Sequence, residues 1–146
     1  MNKVNTVLFS VLILLIIGLT ISIALISLNP HPEDRFTEFY ILNADGKAQD
    51  YPREIKAGQS ATVIIGVVNH EGHPADYRVQ ILSNGAIINS IDTGTLLNEQ
   101  KWEQNMALSL TNPGDNQKVE FFLFLKGEGN PHIKDPLILV INVINP

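Results

Sequence analysis

The sequence predicts a mainly β protein: an antiparallel β-sandwich of about seven strands preceded by one transmembrane helix. Three observations predict it. Residues 7–28 form a single uncharged apolar run. After it come short β-branched and aromatic segments, separated by Gly, Pro, Asn and Asp turn signals. No stretch after residue 28 shows a helical period of apolar residues.

The run VLFSVLILLIIGLTISIALISL (residues 7–28) carries only small hydroxyls as polar side chains. At 1.5 Å rise per residue it is long enough to cross a bilayer core of about 30 Å. Signal-peptide apolar regions are shorter, about 7–15 residues, and end at small residues. This one ends Ile26-Ser27-Leu28-Asn29-Pro30, a poor cleavage site, so an uncleaved anchor in membrane lipid is expected. Lys3 and the α-amine precede it, which favours a cytoplasmic N-terminus and an extracytoplasmic C-terminal domain. Ser10, Thr20 and Ser22 can bond back to the helix backbone. The spacing of Gly18 and Ser22 can seat a second helix, but a featureless anchor is the simpler reading.

Residues 29–35 (NPHPEDR) read as a juxtamembrane linker, because two prolines forbid helix continuation. Seven residues span at most roughly 25 Å, which keeps the domain near the bilayer. Residues 36–146 are the domain. Residues 36–42 form a first strand, ended by the Asn43–Gly46 turn, and residues 51–57 are a short extended piece. Residues 60–70 (SATVIIGVVNH) are apolar on both parities, as a central strand is. Residues 76–83 alternate, with Tyr77, Val79 and Ile81 opposite Arg78 and Gln80. Asn84-Gly85 signals a type I′ hairpin into residues 86–91. Residues 101–110 place Trp102, Met106, Leu108 and Leu110 on one parity. Residues 117–126 and 136–144 complete the set. Strands of this number and spacing read as an immunoglobulin or fibronectin type sandwich, without the inter-sheet disulfide of antibodies.

Composition narrows the function. Beyond residue 28 lie 146 − 28 = 118 residues, the size of one domain. No cysteine is present, which excludes disulfides, thiolate catalysis and zinc–thiolate sites. Setting Lys3 aside leaves 10 − 1 = 9 basic against 15 acidic residues, a formal −6. That balance argues against nucleic acid and against charge-driven adhesion to anionic lipid.

Chemical motifs are weak. His70 and His73 flank Glu71, but they are three apart in a turn, whereas a zinc protease needs them four apart on a helix. A loop metal site built from His70, His73 and His132 is the lesser reading beside a polar turn. The Asn43–Asp50 segment fails the EF-hand pattern, since Ile41 and Pro52 occupy ligand positions. Neither a G-x-S-x-G elbow nor a GxxxxGK[ST] loop occurs. A non-enzymatic chain without a cofactor is expected.

Five stretches carry a family resemblance: residues 36–42 (FTEFYIL), 50–55 (DYPREI), 66–71 (GVVNHE), 101–103 (KWE) and 116–121 (NQKVEF). Over residues 36–144 the chain resembles an uncharacterised, mostly archaeal family of membrane proteins with an extracytoplasmic Ig-like sandwich. It is also similar to cell-adhesion-related surface domains. Many such family members have several membrane spans, and this chain has one. The resemblance implies fold and location, and it supplies no catalytic residue.

Two surface expectations follow from parity and topology. The outward parity of the last two strands carries Phe122, Phe124, Ile138 and Val140. Ordinary surface scatter or loop cover is the plain reading, and contact with a protein partner in the membrane or envelope is the functional one. Alternating strand direction places His31, His70, His73 and His132 at one end, beside Glu71, Glu128 and Asp135. The leading function is a membrane-anchored extracytoplasmic binding or structural module of unknown ligand. Alternatives are an archaellum- or pilus-like filament subunit and an accessory subunit of a membrane enzyme complex.

Overall fold

The computed structural model describes residues 3–28 and 35–146. The expected linker lies outside the described residues except for Arg35, and so does His31. The chain divides into two units, 1–34 and 35–146.

The first unit is the helix α1, Lys3–Leu28. Its Val4–Leu25 segment, with mean hydropathy 2.9, is long and apolar enough to cross a membrane; a membrane anchor and a signal sequence share that property. The hydroxyls behave as expected. Ser10, Thr20 and Ser22 donate to the carbonyls of Thr6, Ile17 and Gly18, each at 2.9 Å.

The second unit is the sandwich. Its strands are β1 (Phe36–Asn43), β2 (Glu54–Lys56), β3 (Ser60–His70), β4 (Ala75–Ser83), β5 (Ala86–Leu96), β6 (Lys101–Ser109), β7 (Gly114–Leu125) and β8 (Leu137–Ile144). One sheet has the order β1-β3-β6 and the other β2-β8-β7-β4-β5. The expected short extended piece is β2, the eighth strand. It pairs parallel with β8, the one departure from antiparallel pairing among the described strands.

Alternation builds the core. Val63, Ile65 and Val67 on β3 meet Tyr77, Val79 and Ile81 on β4, with Val119, Phe121 and Leu123 on β7 and Leu139, Ile141 and Val143 on β8. Val63, Ile65, Val67, Tyr77, Val79, Ile81, Val119, Phe121 and Leu123 are fully enclosed, which is where most of the stabilising transfer from water arises. The hairpin signal at Asn84-Gly85 is realised: both residues have positive φ, 48° and 82°, as a type I′ turn requires. Gly66 answers a second constraint. It lies opposite Tyr40 in the β1–β3 register, and a Cβ there would run into the Tyr40 ring.

Candidate functional site

Two features of the sandwich carry polar or exposed chemistry. The first is the outward face of the five-stranded sheet. Leu139, Ile141 and Val143 point inward from β8, so Ile138 and Val140 point outward, 47% and 49% exposed. On β7 the same alternation sends Phe122 and Phe124 outward. Their rings lie 6.5 Å apart, tilted by 40°, and are partly buried. The parity read from the sequence is therefore the parity of the structure. Register places Phe122 beside Gln80, Phe124 beside Arg78, Ile138 beside Glu120 and Val140 beside Lys118. Arg78 is tied to Asp92 on β5 at 2.7 Å. That bond lifts the guanidinium above its ordinary value and holds the Asp92 carboxyl below its own. An open hollow of about 240 Å³ lies beside Phe124, lined by Arg78, Gln80, Lys126 and Glu128.

The second feature is the end where the chain enters the sandwich. Phe36 opens β1 opposite His70, the last residue of β3. His73 follows in the β3–β4 turn, and His132 comes from the β7–β8 loop, tied down by its backbone N–H donating to the Leu123 carbonyl at 2.7 Å. The three described histidines thus share one end, as topology requires, but they do not share one site. Strand alternation splits them. Asn69 points into the core, so His70 points out of the opposite face of β3.

On the inner side Asn69 organises a polar knot. It is fully buried. Its amide donates to the carbonyls of His73 and Leu96, each at 2.8 Å. Its Oδ1 accepts the Glu71 N–H at 2.9 Å and faces the Tyr77 hydroxyl at 3.2 Å. All four hydrogen-bonding positions of the side chain are used. The buried Tyr77 hydroxyl also reaches Thr37 Oγ1 at 2.9 Å. Thr37 donates to Glu71 Oε1 at 2.7 Å, and His132 Nε2 approaches the same oxygen at 3.0 Å. A nitrogen facing a carboxylate must carry its proton, which fixes the Nε2–H form or the imidazolium. Burial pushes the Glu71 carboxyl up, but the hydrogen bonds from Thr37 and His132 outweigh it and hold the group below its ordinary value.

On the outer side His70 bonds Glu99 through Nδ1 at 2.9 Å and Glu38 through Nε2 at 3.0 Å. Its ring stacks on Phe36, with centroids 4.6 Å apart. Nearby, Tyr40 donates to Glu103 at 2.7 Å, and burial together with that carboxylate pushes the Tyr40 phenol up to about 12. Glu128 and Asp135, expected beside the histidines, are exposed, and neither is ion-paired to a histidine among the described residues.

The histidines considered as metal ligands have other partners. His70 and His132 turn their nitrogens to carboxylates, and His73 Nδ1 lies 3.2 Å from the Pro74 carbonyl. Among the described residues no three His, Asp or Glu side chains are grouped to hold a metal ion. Sequence reasoning missed the knot. Its signal was Asn69, a polar residue on the inward parity of β3 after Val63, Ile65 and Val67.

A family model described as "Domain of unknown function (DUF1616)" matches residues 30–140. No curated protein matches the sequence. Among solved structures the chain is similar to the CARDB domain of the PF1109 protein from Pyrococcus furiosus, solved in complex with di-metal ions. That likeness has TM-score 0.57 and 13% identity and covers 80% of this chain and 94% of that one. It is also similar to a β-glucosidase from Listeria innocua, with TM-score 0.54 and 11% identity, covering 75% of this chain but 16% of the enzyme. A third likeness is to a chain of the complex between Zinc 2-glycoprotein and Prolactin inducible protein from human seminal plasma. Its TM-score is 0.53 at 10% identity, over 78% of this chain and 99% of that one. At these identities the likeness is one of fold.

Proposed function

The chain belongs to the DUF1616 family, a domain of unknown function, and on that premise we propose that it is a membrane-anchored extracytoplasmic module without catalytic activity. In this reading α1 stays in the lipid as a single-pass anchor with its N-terminus in the cytoplasm. The sandwich holds a protein of the membrane or envelope through the outward face of β7 and β8.

The observation that carries the reading is the half exposure of Ile138 and Val140 on the same sheet face as Phe122 and Phe124. In a lone sandwich this face meets water, and outward apolar side chains on two adjacent strands are better explained by a partner. The CARDB-type fold is compatible with an adhesive or structural role. The charges on the face are mixed: Lys118 and Glu120 on β7 and the Arg78–Asp92 pair on β4 and β5. A mixed rim suits a protein partner rather than a polyanion.

The test is co-purification of the full chain from membranes in mild detergent, with Ile138→Ser and Val140→Ser combined. Both residues are half-exposed, so little stability should be lost. The reading expects a reproducible co-purifying protein, lost in the double variant at unchanged melting temperature. Retention of the same protein by the double variant would overturn the assigned face.

A further inference from the structure

We propose that His70 is a proton-operated clamp that fastens the β5–β6 turn and the start of β1 to the end of β3, and that this turn loosens when the imidazolium loses its proton.

The geometry requires the charged form. Glu99 Oε1 sits 2.9 Å from Nδ1 and Glu38 Oε1 sits 3.0 Å from Nε2. Carboxylates only accept, so both nitrogens must be donors, and only the imidazolium has two N–H groups. In the neutral ring one nitrogen presents a lone pair to a carboxylate at hydrogen-bond distance. That contact is repulsive, and one carboxylate must leave.

Glu99 is the one placed to leave. Its side chain is 66% exposed against 48% for Glu38. Its backbone is in the left-handed region at φ +64°, which an L residue adopts at a cost. Besides the His70 contact, five hydrogen bonds hold the turn against that cost. The Glu99 N–H donates to the Asn69 carbonyl at 2.6 Å, the Gln100 N–H to the Leu97 carbonyl at 3.0 Å and the Asn69 N–H to the Gln100 carbonyl at 3.1 Å. The Leu97 N–H donates to Gln100 Oε1 at 2.9 Å and the Gly72 N–H to Asn98 Oδ1 at 2.8 Å, so losing the His70 contact loosens the turn without unfolding it. Glu38, in contrast, lies within the β1–β3 ladder opposite Val68.

The remaining neighbours leave the two carboxylates to His70. On β6, Lys101 lies opposite Val68 and is ion-paired with Glu103 at 3.3 Å. From β1 the ring is stacked by Phe36, which carries no charge. Glu71, next in sequence, is engaged with Thr37 and His132 on the other face of β3. The bonds to Glu99 and Glu38 prevail over partial burial and raise the imidazole above its ordinary value. The clamp is therefore fully closed below the ordinary histidine value of about 6.5. It opens as pH rises through the raised one.

The experiment is amide hydrogen exchange of the full chain in detergent from pH 5.5 to 9, read as protection factors at Glu99 and Gln100, whose N–H groups are hydrogen-bonded. Protection is expected to fall by about two- to fivefold, the scale of one exposed ion pair, with a midpoint above 6.5. In His70→Gln the turn should be less protected throughout and show no step. Flat protection in the wild-type chain, or the same step in His70→Gln, overturns the proposal. Should His70→Gln fail to fold, the ring ¹⁵N shifts of wild-type His70 decide. Both nitrogens protonated at pH 6.5 supports the clamp, and a midpoint at or below 6.5 overturns it.

Discussion

Replacing Asn69 with Leu removes the centre of the polar knot while keeping side-chain volume. Four hydrogen bonds disappear. The Tyr77 hydroxyl can turn its proton from Asn69 to Thr37 Oγ1, and the His73 carbonyl lies in a turn that water can reach. The Leu96 carbonyl and the Glu71 N–H are left with the larger debt, since Leu96 is 3% exposed. An unpaired buried group costs about 1–3 kcal/mol, and the leucine recovers part of that by apolar contact. The net loss is expected at about 2–4 kcal/mol. For a domain of this size it corresponds to roughly 8–16 °C in melting temperature. Urea unfolding of the full chain in detergent, followed by the single tryptophan Trp102 packed against the core, measures it directly. Asn69→Asp is the isosteric control. It turns a carboxylate oxygen toward the carbonyls of His73 and Leu96, so its carboxyl should titrate above the ordinary value. It should be destabilised most at neutral pH and partly recover in acid. A loss below 0.5 kcal/mol in Asn69→Leu would refute the claim that this knot holds the end of the sandwich together.

Gly66→Ala should displace the Tyr40 ring and break its bond to Glu103, costing about 1–3 kcal/mol in the same unfolding assay. Glu71 contributes stability that is fully present above the ordinary carboxylate value and is lost as pH falls through its depressed one. Glu71→Gln should therefore flatten the acid limb of the stability–pH curve. Phe122→Ser with Phe124→Ser should lower the melting temperature more than Ile138→Ser with Val140→Ser, because the rings are more deeply buried than the β8 pair. Equal losses would show that the two strands share one environment.

Strand positions were legible because each strand buries one face, so its alternation is printed in the side chains. β3 shows this most clearly, and so does the outward parity of Phe122 and Phe124. Two boundaries were not legible. β5 runs on to Leu96 because Gly94, at φ +73°, absorbs a register shift that reads in sequence as a break. β7 begins at Gly114, where Asn116 at φ +52° sits in an irregular pairing with β8. The parallel union of β2 with β8 joins residues about 90 apart, and nothing local in either strand names its partner. The histidine end was legible as topology. Its division was not, because which carboxylate meets which ring depends on Asn69 pointing inward and His70 outward. Thr37, on β1, gave no local sign that it would bridge Glu71 and Tyr77.

The most direct test of a membrane-anchored, outward-facing module uses the absence of cysteine from the chain. Lys47→Cys places one thiol in the exposed turn after β1, and intact cells are treated with a membrane-impermeant maleimide. Labelling before lysis, on a chain that stays in the membrane fraction at its full mass, is the expected result. Labelling only after lysis, or a labelled chain released without its first 28 or so residues, would contradict it.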